Sequence, residues 1–417
     1  MPSRSERLVW VVATVALVAA LLMVHVVFRW QGLVANSGDP YNYGKIAHGL
    51  VEHGLTKLTR RAASLYPELL AVIYRVGLDD SAVLLLQCLF HVGTCVLTFV
   101  TGRRVFNART GLIAGLFCAL HPMLLRYVPD LHMESFLTFL FVVTVWRAVH
   151  FHEHPSIRNG VSFAVAGTLA TLCKGVALPM TVAFMGYWAF RCWRKRPHAA
   201  APLPGVAAIA LTIALMIAPW TYRNYQLSGK VVLLTPGTPD AFLRGYIFTR
   251  LEFATLQQPP YTVAENESNA LFRRIAHDNG VEWEADETVD DENNRKVMKQ
   301  WIVERPLDTL RKCVVGLFTF WYVMTSFETS LVPLLLAIVS FIFAAIGIKR
   351  AYEEKKAFWI FLLPLVVTNV CVAALIPLGR YSVPILPFLA VLAAFGVDTS
   401  LDRRRAASSA GRPAVSA

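Results

Sequence analysis

Long apolar blocks separated by short polar segments dominate this chain. Blocks of about 20 apolar residues match the hydrocarbon core of a bilayer, so the pattern predicts an all-α polytopic membrane protein. The first block is too long for a signal peptide and lacks a small-residue cleavage site, so we expect it to be retained as an anchor. The ten predicted spans are 8–28, 81–101, 111–125, 135–149, 161–178, one ending at 191–196, 206–219, 331–348, 358–376 and 383–397.

Basic residues collect in alternate short loops between the predicted spans. Arg4 and Arg7 precede the first span, and further clusters follow at 103–109, 191–196, 349–356 and 403–405. By the positive-inside rule this predicts a multi-pass protein of the inner (plasma) membrane with both termini cytoplasmic. The net charge of +12 is thereby explained by topology, and we expect no nucleic-acid partner.

The order of apolar and polar segments predicts four regions. We expect an N-terminal transmembrane module (1–220) whose first outer loop (29–80) carries the site, an extracytoplasmic cap (221–308), a C-terminal transmembrane module (309–400) and a disordered cytoplasmic tail (401–417). The apolar stretch 310–327 is predicted to be interfacial or re-entrant, because a span there would put the basic residues 349–356 outside. The acidic middle of the cap is read as a solvated face without chemistry.

Composition adds little to this picture. The chain is 55% hydrophobic and 16% charged, with a mean hydropathy of +0.49, as a membrane protein requires. The seven cysteines lie in or beside apolar runs, and their spacing suggests neither a disulfide framework nor a metal site.

The stretch NSGDPYNYGKIAHGLVEHG, residues 36–54, holds a lone acid immediately after the first span. Pro40 suits the first turn of a helix, which puts Asp39 at a capping position. Behind it, Tyr41, Ile46 and neighbouring apolar residues alternate with polar ones as in an interfacial helix. Asp39 is therefore either a plain helix cap or a functional acid at the membrane surface.

Other ionisable residues are predicted at the same outer boundary. Such residues are costly at the edges of spans, so each is a functional hypothesis. Each also has a structural explanation. Lys174 could snorkel, and Arg223 and Arg380 could pair with Asp130 or Glu134 to hold spans together. Asp130 could form a turn after Pro129, and His132 could be a packed loop residue. The outer set comprises Asp39, Asp130, His132, Glu134, Lys174, Arg223, Arg380 and Tyr381.

A carboxylate among several cations at a membrane surface suits transfer from a lipid-linked phosphate. Cations stabilise a phosphate leaving group, while a carboxylate accepts the proton of an incoming hydroxyl or amine. These residues do not require a metal, although Asp39, Asp130 and His132 could bind a divalent ion.

Four segments, in order, resemble C-type glycosyltransferases, which include protein O-mannosyltransferases and the lipid A aminoarabinose transferase. NSGDPYNYGKIA with SLYPELLAVIY is similar to the first outer loop of that family, and LATLCKGVALP to its span ending in Lys-Gly. APWTYRNYQLSGKVVLLTPGTPDAFLRG resembles its Pro-Trp-x-x-Arg-Asn motif, and LGRYSVPILPFLAVLAAFGV its Arg-Tyr-x-x-Pro-x-x-Pro ending. Each motif is weak alone, but the four in sequence are specific.

The resemblance implies an inverting glycosyltransferase, hexosyl or pentosyl, that takes a sugar from a polyprenyl-phosphate donor on the outer face of the membrane. It maps the catalytic base to Asp39 and a second acid to Asp130 or, less well, Glu134. The donor phosphate would be bound by Lys174 and Arg380, with Arg223 and Tyr381 beside them. The acceptor (a glycan, lipid or protein) or the sugar is expected to contact Tyr41, Tyr43, Tyr66 and His132.

Two departures keep other functions open. The family often has an acidic pair in the first loop, whereas Asp39 stands alone, and the chain has no large C-terminal soluble region, so an acceptor-binding part would be missing or reduced. The alternatives are a transporter or lipid flippase and a non-catalytic relative acting as a scaffold. A transporter should show inverted repeats or broken helices near the midplane, and no repeat is evident.

Overall fold

The computed structural model describes residues 4–31, 38–54, 64–194, 203–250, 260–324 and 326–410. These parts of the chain are built from helices and connecting turns, without a strand. The all-α prediction is therefore confirmed. The predicted basic loop positions 195 and 196 and the final residues 411–417 lie outside the described ranges.

The helices follow the apolar blocks closely in the first half of the chain. They are α1 (Arg4–Gln31), α2 (Gly38–His53), α3 (Leu65–Arg75), α4 (Asp80–Val105), α5 (Ala108–Leu120), α6 (Pro122–Leu125), α7 (Glu134–Glu153), α8 (Ile157–Cys173), α9 (Ala177–Arg194) and α10 (Leu203–Ser228).

The second half begins with polar helices and returns to apolar ones. Its elements are α11 (Thr238–Phe248), α12 (Pro260–Asp278), α13 (Glu287–Glu304), α14 (Pro306–Thr319), α15 (Phe327–Glu353), α16 (Trp359–Ala373), a 3₁₀ helix (Gly379–Ile385) and α17 (Leu386–Ala410).

Six helical segments of the described chain are long and apolar enough to cross a membrane: Glu6–Arg29, Asp80–Val105, Glu134–Glu153, Leu203–Ser228, Glu328–Glu353 and Gly379–Arg403. Two shorter apolar helices, α5 and α16, accompany them. Leucine and valine side chains on the outer faces of α1, α10 and α15 are exposed, as lipid-facing side chains would be. The protein is thus a multi-pass membrane protein, while the predicted number of ten spans stays a prediction.

Small residues set the closest helix contacts of the bundle. A Cβ atom on Gly111 would overlap the backbone of α4 at Phe99, and one on Gly396 would overlap the carbonyl oxygen of Phe343. Glycine therefore allows α5 to lie against α4 and α17 against α15 with backbones touching, as is common between membrane helices.

Two of the predicted spans are interrupted. The stretch 111–125 breaks at His121, whose ring accepts a hydrogen bond from the Met123 amide (3.2 Å), before Pro122 starts the short α6. The stretch 161–178 breaks after Cys173, so Lys174 lies in a non-helical connection between α8 and α9. Apolar periodicity continues through both breaks, which is why it did not reveal them.

Helices α11, α12 and α13 form the cap. Its small core joins Phe242 and Leu243 of α11 to Phe272 and Ile275 of α12. The cap begins after Ser228 rather than at residue 221, because α10 continues through the Arg-Asn motif.

Buried Lys312 of α14 joins the cap to the membrane bundle. It donates hydrogen bonds to the Phe242 and Ala374 carbonyl oxygens, both at 2.9 Å, and its ammonium group lies 3.3 Å from the centre of the Phe242 ring. One side chain thus links the start of the cap to the end of α16.

Two boundaries differ from the sequence prediction at the C-terminal side. Helix α14 begins at Pro306, earlier than the predicted 310, and at about 1.5 Å per residue its 14 residues cannot cross a core of about 30 Å. Helix α17 continues to Ala410, whereas we predicted a disordered tail from residue 401. The alanine and arginine residues there favour a helix once α17 has started.

Candidate active site

Arg380 is the centre of the candidate site. Its Nη1 donates to Oδ2 of Asp39 at 2.9 Å, and its Nε and Nη2 reach Oε1 of Glu134 at 3.0 and 2.9 Å. Asp39 lies in the first turn of α2, Glu134 at the start of α7 and Arg380 in the 3₁₀ helix before α17. Three predicted site residues, separated by up to 341 positions, therefore form one ion-pair network.

Lys174 adds a second cation to this network. Its Nζ lies 3.8 Å from Oε1 of Glu134 and 4.1 Å from the centre of the Tyr381 ring. The break after α8 allows this approach, because a continued helix would carry the side chain along the bundle. Burial lowers the pKa of Lys174 to about 8, while the Glu134 carboxylate partly opposes this shift.

Glu134 is the most deeply enclosed acid of the site. Its side chain is 1% exposed, and its second oxygen, Oε2, has no hydrogen-bond partner among the described residues. A buried carboxylate oxygen normally accepts a hydrogen bond. Glu134 is therefore both the counter-charge of Arg380 and Lys174 and a possible acceptor for a hydroxyl or water.

A cavity of about 270 Å³ opens onto these charges. Its walls include Asp39, Lys174, Arg380 and Tyr381, together with Tyr43 and Ser64 at the α2–α3 side. A second cavity of about 390 Å³ shares Lys174 and Tyr381 and continues along Pro179 of α9, Val372 of α16 and Leu234 of the loop after α10. The charged cavity thus adjoins an apolar one, as an amphipathic lipid phosphate requires.

Asp130 is held within its own turn rather than at Arg380. Its Oδ1 accepts the Leu131 amide at 2.8 Å, and its Oδ2 lies 3.3 Å from Nδ1 of His132. The backbone oxygen of Asp130 accepts a hydrogen bond from Gln87. Of the two acids proposed as second catalytic residue, Glu134 is the one that contacts the predicted cations.

Arg223, like Asp130, contacts groups outside the cavity. It pairs with Glu68 of α3, and its guanidinium lies 3.8 Å from the centre of the Trp220 ring. The neighbouring Asn224 is fully buried and donates to the Val232 and Leu234 carbonyl oxygens at 3.0 and 2.8 Å. The Arg-Asn motif therefore fixes α10 against α3 and folds the following loop, which lines both cavities.

The predicted aromatic contacts divide into two groups. Tyr43 lines the cavity, and its ring packs edge-on to Tyr66 with centroids 5.4 Å apart. Tyr66 is 1% exposed and its hydroxyl lies 3.4 Å from Nε2 of Gln87, so it supports Tyr43 from behind. Tyr41 is 47% exposed and outside the residues that line the cavity, and His132 lines a separate cavity of about 180 Å³ on another side of Arg380.

Two charged residues of the cavity were missed by the sequence reasoning. Arg244 of α11 and Glu265 of α12 belong to the cap, to which we assigned no chemistry, yet both line the 270 Å³ cavity. The signal available in the sequence was Asp240 four residues before Arg244, a spacing that pairs charges on one helix face.

The described residues offer no cluster of three or more His, Cys, Asp or Glu side chains able to hold a metal ion. Asp39, Asp130 and His132, named together above, do not form one: Asp39 pairs with Arg380, while the other two pair with each other.

Comparison with known proteins gives both a family match and fold matches. The sequence model of the dolichyl-phosphate-mannose-protein mannosyltransferase family matches residues 65–222. Comparison with curated protein sequences gave no match.

Solved structures of low sequence identity resemble the chain over nearly its whole length. The Archaeoglobus fulgidus oligosaccharyltransferase AglB, in complex with an inhibitory peptide and a dolichol-phosphate, matches with a TM-score of 0.53 and 16% identity, over 99% of this chain and 53% of that one. The apo form of the Archaeoglobus fulgidus oligosaccharyltransferase matches with a TM-score of 0.57 and 13% identity, over the same shares. ArnT from Cupriavidus metallidurans, bound to undecaprenyl phosphate, matches with a TM-score of 0.41 and 15% identity, over 96% of this chain and 79% of that one.

The fold of the chain is therefore that of these oligosaccharyltransferases, and the matching family model agrees with the resemblance carried by the four motifs. The chain spans about half the length of the oligosaccharyltransferases that it matches.

Proposed function

We propose that the protein is a glycosyltransferase that moves a sugar from a polyprenyl-phosphate donor to an acceptor at the membrane surface. The observation that carries this proposal is the network in which Arg380 pairs with Asp39 and Glu134 while Lys174 lies beside them in one cavity. The match to the mannosyltransferase family supports it, and the adjoining apolar cavity accommodates a lipid.

The proposed reaction is a single displacement. Asp39 takes the proton from the acceptor hydroxyl or amine as its oxygen or nitrogen forms a bond to the anomeric carbon. The bond from that carbon to the phosphate oxygen breaks, and polyprenyl phosphate leaves with the electron pair. Attack opposite the leaving group inverts the anomeric centre, and Lys174 and Arg380 stabilise the charge that develops on the phosphate.

The remaining predicted residues take supporting roles in this proposal. Glu134 keeps Arg380 and Lys174 in place and offers its unpaired Oε2 to a hydroxyl of the substrate. Tyr381 covers the Lys174 ammonium, and Tyr43 forms part of the wall on the Asp39 side. We place the site on the extracytoplasmic face, on the positive-inside argument.

The test is sugar transfer by purified protein reconstituted in liposomes with labelled polyprenyl-phosphate sugars. Asp39→Asn keeps the size and polarity of the side chain but removes the base, so turnover should fall at least about a hundredfold. The matched control is Asp286→Asn, which alters another acid at a helix start, since Asp286 caps α13 in the cap. Turnover that survives in Asp39→Asn would contradict the assignment of the base, and a wild type inactive with every donor would contradict the proposed function.

A further inference from the structure

The cap supplies one wall of the candidate site. Arg244 and Glu265 line the same 270 Å³ cavity as Asp39, Lys174 and Arg380. The two cap residues come from different helices, α11 and α12, and the proposed reaction assigns neither of them a role. Two further charged groups in the same cavity as the proposed phosphate-binding cations require an explanation.

The position of Arg244 is fixed by several contacts. Its Nε donates to Oδ1 of Asp240 at 2.8 Å, its Nη1 to Oε1 of Glu265 at 3.1 Å and its Nη2 to Oδ1 of Asn269 at 3.2 Å. The guanidinium also lies 5.0 Å from the centre of the Phe272 ring. Asp240 is 7% exposed, so the network is anchored in the cap core rather than on its surface.

We propose that Arg244 and Glu265 bind the hydroxyl groups of the donor sugar, and so determine which sugar is transferred. This inference rests on the proposed function. In a polyprenyl-phosphate sugar the anomeric carbon is joined to the phosphate through one oxygen, so a phosphate bound at Lys174 and Arg380 leaves its sugar in the same cavity. Glu265 can accept hydrogen bonds from hydroxyl groups, and Arg244 can donate to their oxygens.

The size of the cavity agrees with this occupant. Its volume of about 270 Å³ is slightly below the smallest typical ligand sites, which begin at about 300 Å³. That space suits one monosaccharide with its phosphate, and it leaves the lipid chain to the adjoining apolar cavity.

The charges of the cap wall limit the class of sugar. Arg244 pairs with two carboxylates, Asp240 and Glu265, and of these two Glu265 is the one that lines the cavity. A carboxylate of the sugar placed beside Glu265 would be repelled by it. We therefore infer that the donor sugar is neutral or amino-substituted rather than a uronic acid.

The competing explanation is that the Arg244–Glu265 pair only fixes α12 against α11. The chain offers a matched control for this explanation. Arg250, just after α11, pairs with Glu267 of α12 at 3.2 Å, but both side chains are about half exposed and neither lines the cavity. Glu267→Gln therefore removes the same charge from α12 and breaks an ion pair with the α11 end without changing the cavity wall.

The experiment measures lipid binding rather than turnover, so its result does not depend on catalysis. Binding to wild type, Glu265→Gln, Arg244→Gln and Glu267→Gln is compared for polyprenyl phosphate, a panel of its neutral pentose and hexose derivatives, and a hexuronate derivative. Wild type should bind at least one neutral sugar derivative more tightly than the bare lipid phosphate. Glu265→Gln and Arg244→Gln should weaken that binding about tenfold or more, while bare polyprenyl phosphate binds nearly as before.

Three outcomes decide the proposal. Support requires that Glu267→Gln behaves as wild type and that Glu265→Gln narrows the preference for neutral over uronate derivatives. The proposal is overturned if wild type never prefers a neutral sugar derivative to the bare lipid. It is also overturned if the cap variants lose affinity for both lipids alike, because that result marks a structural role. A wild type that discriminates among sugars but transfers none would contradict the proposed function alone.

Discussion

Glu134 offers a direct test of the ion-pair network, because its replacement should cost far more stability than that of most glutamates. Glu134→Gln keeps the shape of the side chain and removes its charge. The side chain is 1% exposed, and the change deprives Arg380 of one of two carboxylates and Lys174 of its nearest one. Breaking a buried ion pair from one side costs about 3–5 kcal/mol. Since Arg380 keeps Asp39 at 2.9 Å, we expect the lower end, about 3 kcal/mol.

The control lies at the other end of the same helix. Glu153, the last residue of α7, pairs with Arg104, with both side chains about one-third exposed. Exposed pairs of this kind contribute about 0–1 kcal/mol. Glu153→Gln therefore removes the same charge from the same helix at a small expected cost.

The assay is thermal unfolding in detergent, followed with a thiol-reactive fluorescent dye. The protein carries a built-in reporter, because the thiols of Cys88, Cys95, Cys118 and Cys173 are free and buried until the bundle opens. A loss of 1 kcal/mol lowers Tm by roughly 2–4 °C in domains of 150–250 residues and by less in longer chains. We expect Glu134→Gln to lower Tm by about 5 °C and Glu153→Gln by at most about 2 °C. Equal losses in the two variants would refute the network as described.

Three further predictions concern the surroundings of the site. Because the pKa of Lys174 is lowered to about 8, its positive charge is present below that pH and lost above it. We therefore expect kcat/KM to fall about tenfold per pH unit above pH 8. Lys174→Arg, which keeps its charge, should move this fall to higher pH. Asn224→Ala leaves two partly buried carbonyl groups without their hydrogen bonds, at about 1 kcal/mol each, so Tm should drop clearly. Asn42→Ala, which loses one exposed hydrogen bond, should change Tm little. Gly245→Ala places a methyl group on the Leu375 carbonyl oxygen, so limited proteolysis should cut the cap faster; equal cutting of wild type would contradict the docking contact.

The membrane fold and four residues of the candidate site could be identified from the sequence because both depend on local patterns. Apolar blocks of about 20 residues predict membrane-spanning helices. A charged side chain at the edge of such a block is energetically unfavourable, so it indicates a functional role or a charged partner. Four residues were identified because they are charged and lie at the edge of a predicted span: Asp39, Glu134, Lys174 and Arg380. The structure brings these four together in one network.

Pairings between distant elements could not be predicted in this way. Asp130 and Glu134 lie four residues apart, and only the packing of α7 decides that Glu134 faces Arg380 while the Leu131 amide and His132 hold Asp130. Likewise, the partner of Arg223 is Glu68, 155 positions earlier, which no local spacing indicates. The sequence therefore indicates which charged residues require a partner, whereas the packing of the helices determines which partner each one contacts.

The balance of charge in the site indicates the order in which substrates bind. Asp39 and Glu134 are matched by Arg380 and Lys174, so the empty site is near neutrality. A bound phosphodiester adds a negative charge, which makes a nearby carboxylate a stronger base.

The donor itself would therefore activate Asp39, and we expect donor to bind before acceptor. Dead-end inhibition by an unreactive acceptor analogue should then be uncompetitive toward the donor. Competitive or noncompetitive inhibition would show that the acceptor also binds the empty site, and the charge argument would fail.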